Sequence, residues 1–178
     1  MSKYQNNVAC ETISIRRKLY SSSDYFTSLS ENVITTNPSE PRSVFAIDLD
    51  GDGEDDPIIT NGTLAANTTY SGSLDLLNET ESPAESITEE IEEEALEHQF
   101  FFDVSNDLFS VAYDDMDADG NPIGLDFIVT TDATTGTEAF TITLRHEPSK
   151  DAAGVSAGDI TNAGGETDIE VTFNVTVQ

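Results

Sequence analysis

Cysteine is all but absent. Cys10 is the only one in 178 residues, so the chain forms no disulfide with itself, and its thiol content does not report a redox compartment. Basic side chains are scarce as well: seven Lys and Arg stand against 35 Asp and Glu, a formal net charge of −28 at pH 7. Nucleic-acid binders carry a basic footprint, and docking on an anionic membrane surface uses a basic amphipathic helix. The charge therefore argues against both partner classes, and no nucleic-acid partner is expected. Apolar runs stop at three or four residues, as in "FFF" and "VFAI", far short of a membrane-spanning segment. The start "MSKYQNN" has no apolar stretch of signal-peptide type. Also missing are G-x-S-x-G, H-E-x-x-H and a phosphate-cradling glycine loop. With no marked nucleophile, the expectation is a protein that is not an enzyme.

The charge that is present is unevenly placed. Residues 1–42 hold five Lys and Arg against Glu11, Asp24, Glu31 and Glu40, a net charge of +1. The remaining chain holds 31 acids against Arg145 and Lys150, a net charge of −29. "TTNPSEPR", Thr35 to Arg42, has the two prolines and small polar residues of a linker. These features divide the chain into a weakly basic N-terminal tail and linker, 1–42, and one acidic domain, 43–178.

Within the acidic part, apolar residues alternate with polar ones. "DIEVTFNVTV" puts Ile169, Val171, Phe173, Val175 and Val177 on one face of a strand. "EAFTITLR" does so with Phe140, Ile142 and Leu144, "IGLDFIVT" with Ile123, Leu125, Phe127 and Val129, and "TYSGSLDLL" with Tyr70, Leu74 and Leu76. Strands at this spacing, separated by Gly, Asn and Asp, predict an antiparallel immunoglobulin-like β-sandwich. One segment departs from period two. In "SPAESITEEIEEEALEHQ", Ser82, Pro83 and Glu85 stand in the order of a capping box, and Ile87, Ile91, Ala95 and His98 recur at helical spacing. A helix is expected from about Pro83 to Glu97. The Ala- and Gly-rich "DAAGVSAGDITNAGGETD" reads as a long loop before the last strand.

Two acidic loops carry the chemistry of a hard cation. Calcium takes six to eight oxygens, which one loop supplies from alternate residues. "DLDGDGEDD" offers Asp48, Asp50 and Asp52 at loop positions one, three and five, with Gly53 at the sharp turn, the Glu54 carbonyl at seven and Asp56 at nine. Position twelve is Ile59, so another acid, such as Asp55 or one distant in sequence, has to close the shell. "DDMDADGNPIGLD" repeats the pattern with Asp115, Asp117, Asp119, Gly120 and Asn121, and Asp126 falls at twelve. The competing readings are a solvated acidic turn for the first loop and a plain Asp-Gly hairpin turn for the second. A general adaptation of the surface to high salt is a further account of the charge. The glutamate run of the helix reads as a solvated face. His98 with Glu94, and His146 with Glu147, offer zinc-type ligands, but two histidines without cysteine partners read first as structural residues.

From "ENVITT" to the C-terminus the chain resembles a family of small bacterial lipoproteins of the Gram-negative outer membrane, often labelled as type 1 periplasmic-binding-fold proteins. The likeness is carried by "DLDGDGEDDPIITNGTLAANTTYSGSLDLLNE", "ITEEIEEEALEHQFFF", "DADGNPIGL" and "LRHEPSKDAAGVSAGDITNAGGETDIEVTF". The resemblance implies a place in the cell envelope, at the periplasm or outer-membrane surface, and a lipidated cysteine, for which "NVAC" offers Cys10. The label would imply two lobes of alternating strands and helices; the strand pattern here implies a sandwich instead. The expected function is a non-enzymatic, extracytoplasmic binding or structural module clamped by calcium, with an envelope protein or glycan as partner. The alternative is a solute-binding lipoprotein that presents a small ligand to an envelope transporter.

Overall fold

The computed structural model describes residues 62–78, 83 and 85–178, together with the backbone of six short segments before them: 9–10, 13–14, 33–35, 41–43, 45–47 and 56–58. Those segments are the strands β1 (Ala9–Cys10), β2 (Ile13–Ser14), β3 (Val33–Thr35), β4 (Pro41–Ser43), β5 (Phe45–Ile47) and β6 (Asp56–Ile58). Then come β7 (Gly62–Leu64), β8 (Thr69–Asp75), β9 (Leu77–Asn78), β10 (Glu85–Ser86) and the helix α1 (Ile87–Glu93). The chain ends in β11 (His98–Val104), β12 (Phe109–Tyr113), β13 (Asp126–Thr131), β14 (Gly136–His146) and β15 (Glu166–Val177). The rest of the expected N-terminal tail lies outside the described residues.

The protein is mainly β, with two principal sheets. One runs β1–β8–β13–β12, with β2 also paired to β8; its β8–β13–β12 portion is antiparallel, while β1 and β2 lie parallel to β8. The other runs β11–β14–β15–β7 and is antiparallel except for β7 along β15. Its centre is the long pair β14–β15, of 11 and 12 residues.

The alternation seen in the sequence is the alternation of burial. Val171, Phe173, Val175 and Val177 of β15 and Phe140, Ile142 and Leu144 of β14 are buried, and they share one core with Tyr70, Leu74, Phe127 and Val129 of the first sheet. Aromatic contacts cross between the sheets. Phe102 of β11 meets Phe127 of β13 at 4.8 Å, and Phe109 of β12 meets Phe140 of β14 edge-on at 5.3 Å. Gly72 makes room for the Phe127 ring: a Cβ there would lie 2.4 Å from it.

The helix is shorter than its sequence predicts. It spans Ile87–Glu93, and its N-cap is Ser86, whose hydroxyl accepts the Glu89 N–H at 3.2 Å. "SITE" is itself a capping box, one turn later than Ser82 to Glu85. Tertiary contacts select it. Glu85 and Ser86 pair with Asn78 and Leu77, and the Ile87 and Thr88 N–H groups both donate to the Leu76 carbonyl. Ile91 remains the buried anchor, whereas His98 begins a strand instead of closing the helix.

The long loop between β14 and β15 is ordered by two 3-10 turns, Val155–Ala157 and Ile160–Asn162. Val155 and Ala163 pack on Phe101, on the opposite face of β11 from the main core, with Ala152 and Ile160 around them. The Gln99 amide donates to the Val155 carbonyl at 2.9 Å.

Candidate functional site

The second acidic loop, residues 114–125, joins β12 to β13. Two of its aspartates turn inward, each to its own set of donors. Asp115 accepts the N–H of Gly124 on Oδ1 at 2.7 Å, and those of Leu125 and Asp126 on Oδ2 at 2.8 and 3.1 Å. It thus caps the first amides of β13. Asp117 accepts the N–H groups of Asp119 and Asn121 on Oδ1 at 3.0 and 2.9 Å, an Asx turn that shapes the loop tip.

The other Asp117 oxygen meets an ammonium. Lys150 Nζ lies 2.9 Å from Asp117 Oδ2, and their side chains are 5% and 0% exposed. The same nitrogen donates to the Ala95 carbonyl at 2.6 Å and to the Pro122 carbonyl at 3.1 Å. Its three protons have three acceptors. Burial pushes the Asp117 carboxyl up, but the hydrogen bond from Lys150, the two amides and the lysine charge outweigh it, so its pKa lies below the usual carboxylate value. One ammonium therefore ties the turn after α1, the 114–125 loop and the start of the long β14–β15 loop together.

Gly124 belongs to the same knot. Its φ is +89°, in the left-handed region that L side chains disfavour, and an added Cβ would lie 2.9 Å from Phe100 Cβ. Beside it, Tyr113 donates to the Phe100 carbonyl at 2.7 Å and accepts from Gln99 at 3.3 Å. Burial chiefly, with the Asp115 charge, outweighs the Gln99 bond and pushes the phenol up to about 12.

The other residues expected as calcium ligands are dispersed. Asn121 donates from its amide to Asp151 at 3.3 Å. Asp126 is exposed at the start of β13, its carboxyl raised by burial and by the charges of Asp115 and Asp114. Asp119 is exposed at the tip. Among the described residues, the groups whose ligand atoms all lie within 4.8 Å of one another are His98 with His146 and Asp168, and Glu97 with His146 and Glu147. The loop aspartates form no such group, because Asp115 and Asp117 point to different partners. Of the first loop, Asp48, Asp50, Asp52 and Glu54 lie outside the described residues, and Asp56 contributes the first backbone unit of β6.

Sequence reasoning passed over two buried charges. Lys150 is one, although the single lysine of residues 43–178 among 31 acids is a signal of internal use. Glu138 is the other. It stands in phase with Phe140, Ile142 and Leu144, on the core face of β14, and it is fully buried. Its Oε1 accepts from the Ser105 hydroxyl at 2.6 Å, the Asn106 N–H at 2.7 Å and the Asn106 amide at 3.3 Å; its Oε2 accepts the Leu108 N–H at 3.0 Å. Burial raises this carboxyl, but the four donors together hold it below its ordinary 4.5. It fastens the β11–β12 connection.

Comparison with known proteins adds little to this geometry. No protein-family model and no curated protein matches the chain. Among solved structures it is similar to the cysteine protease inhibitor EhICP2 from Entamoeba histolytica, at 14% identity and a TM-score of 0.37, over 66% of this chain and 85% of that one. A likeness at that level bears on neither fold nor function. Among the described residues, no helix is long and apolar enough to cross a membrane.

Proposed function

We propose that the chain is a non-enzymatic binding or structural module of the cell envelope, an immunoglobulin-like β-sandwich whose loops are fixed by internal charge and whose first acidic loop holds calcium. The observation that carries the reading is the fate of the buried carboxylates. Asp117 and Glu138 each have all their close polar contacts with internal donors that pin a loop, which is how a rigid scaffold uses charge. An acid or base for catalysis faces a substrate-sized space instead. The envelope assignment rests on the sequence resemblance.

Calcium is assigned to Asp48, Asp50, Asp52 and Asp56 in preference to Asp115, Asp117, Asp119 and Asp126. In the second loop Lys150 already supplies positive charge to Asp117, and three amides already engage Asp115. A calcium ion there would have to displace those donors. Calcium added to chelator-treated protein is expected to raise the unfolding midpoint by mass action. Asp50→Ala should abolish that rise, and Asp119→Ala should leave it. An equal rise from sodium chloride at matched ionic strength would overturn the calcium assignment in favour of salt adaptation. Loss of the rise in Asp119→Ala alone would move the ion to the second loop.

A further inference from the structure

We infer that His98, His146 and Asp168 form a binding site for a divalent transition metal of the zinc class, separate from the acidic loops. The two histidines are 48 positions apart in sequence, yet the register of β11 on β14 sets them directly opposite each other. Their rings lie 4.8 Å apart. Asp168 reaches them through an irregularity. Leu144 pairs with Ile169 but Arg145 pairs with Thr167, so Asp168 is the extra residue of a bulge in β15. A bulge re-aims a side chain that strict alternation would turn away. Here it brings Asp168 Oδ2 to 3.8 Å from His98 Nε2.

The separations suit a shared ion better than direct bonds. The ligand atoms of His98, His146 and Asp168 all lie within 4.8 Å of one another, and the contact of Asp168 with His98 is 3.8 Å. That contact exceeds hydrogen-bond range. Two ligands about 2.0–2.1 Å from one tetrahedral zinc stand roughly 3.4 Å apart, so these pairs need only small closure. His98 is also oriented for the task. Its Nδ1 lies 3.2 Å from the Glu94 carbonyl. With the proton on Nδ1 donated there, the Nε2 lone pair faces Asp168, the second-shell arrangement that fixes a metal-binding tautomer. Two neutral imidazoles and one carboxylate supply three ligands, and water would take the fourth position. Imidazole donors favour zinc, nickel or copper over calcium or magnesium.

Binding requires one movement. The rings are stacked, only 11° from parallel, and lone pairs in parallel planes do not meet at one point. His146 must turn out of the stack. Its side chain is 40% exposed against 9% for His98, so it is the ring free to move. The ion would then clasp the ends of β11, β14 and β15 together.

The test uses the full chain, stripped with chelator and kept in millimolar calcium so that hard-cation carboxylate sites are filled. Zinc chloride is titrated by calorimetry, and histidine ring protons are followed by NMR. One saturable site is expected, with ring shifts for both histidines and a higher unfolding midpoint. His146→Gln and Asp168→Asn, each checked for an unchanged metal-free urea midpoint, should weaken zinc affinity by about tenfold to a hundredfold or more. No saturable zinc binding above the calcium background would overturn the proposal. So would binding that both variants leave unchanged, or that shifts neither histidine ring. If His146→Gln alters the fold, the exposed Asp168→Asn decides. The calcium assignment stands or falls separately, since its readout is Asp50→Ala.

Discussion

Replacing Glu138 by Gln keeps the shape of a fully buried side chain and removes its charge, so it measures what the carboxylate contributes to the β11–β12 connection. In the native protein its two oxygens accept four hydrogen bonds, two of them from backbone N–H groups of Asn106 and Leu108. Hydrogen bonds to a charged acceptor are each worth about 1.5–3 kcal/mol. The cost of desolvating the carboxylate offsets much of the sum. A glutamine still accepts at one oxygen but turns an NH2 group toward at least one donor. The expected net loss is about 2–3 kcal/mol at pH 7, read as a urea midpoint lower by about 1 M. The pH dependence has a definite sign. Because the native carboxyl lies below its ordinary 4.5, its stabilisation is present in full above that value and is lost as pH falls through the lowered native one. Urea unfolding followed by circular dichroism from pH 7 to pH 3 should therefore show a constant gap between the two proteins above about pH 5, closing in acid. A gap under about 0.5 kcal/mol at pH 7, or one that persists undiminished in acid, would refute the reasoning.

Lys150→Met leaves the Asp117 carboxylate buried without its cation and should cost about 3–5 kcal/mol in urea unfolding. Adding Asp117→Asn to it should restore part of that loss; a more severe double variant would refute the pairing. Gly124→Ala places a methyl against Phe100 at a left-handed backbone position and should cost about 2–4 kcal/mol, visible as a lowered thermal midpoint.

The β-rich architecture was legible because burial of one sheet face leaves a period of two in the sequence. Val171, Phe173, Val175 and Val177 are buried in the order the alternation predicts. The helix start was misjudged because Ser82 to Glu85 and Ser86 to Glu89 are both capping boxes, and only the contacts with Leu76 and Leu77 distinguish them. The site was less legible. Alternating aspartates announce oxygen acceptors, but spacing does not tell a divalent ion from an ammonium or a row of amides. Lys150 comes from 33 residues beyond Asp117. His98 and His146 meet only through strand register, and Asp168 joins them through a bulge that no local pattern signals.

The roof over Phe101 changes how the Ala- and Gly-rich stretch before β15 should be regarded. In sequence it resembles spacer, the natural place to shorten the chain or graft in a tag. In the fold Val155 and Ala163 seal Phe101, and the Val155 carbonyl holds the Gln99 amide. Trimming it would expose Phe101 and leave the Gln99 amide without its carbonyl, so grafts belong elsewhere.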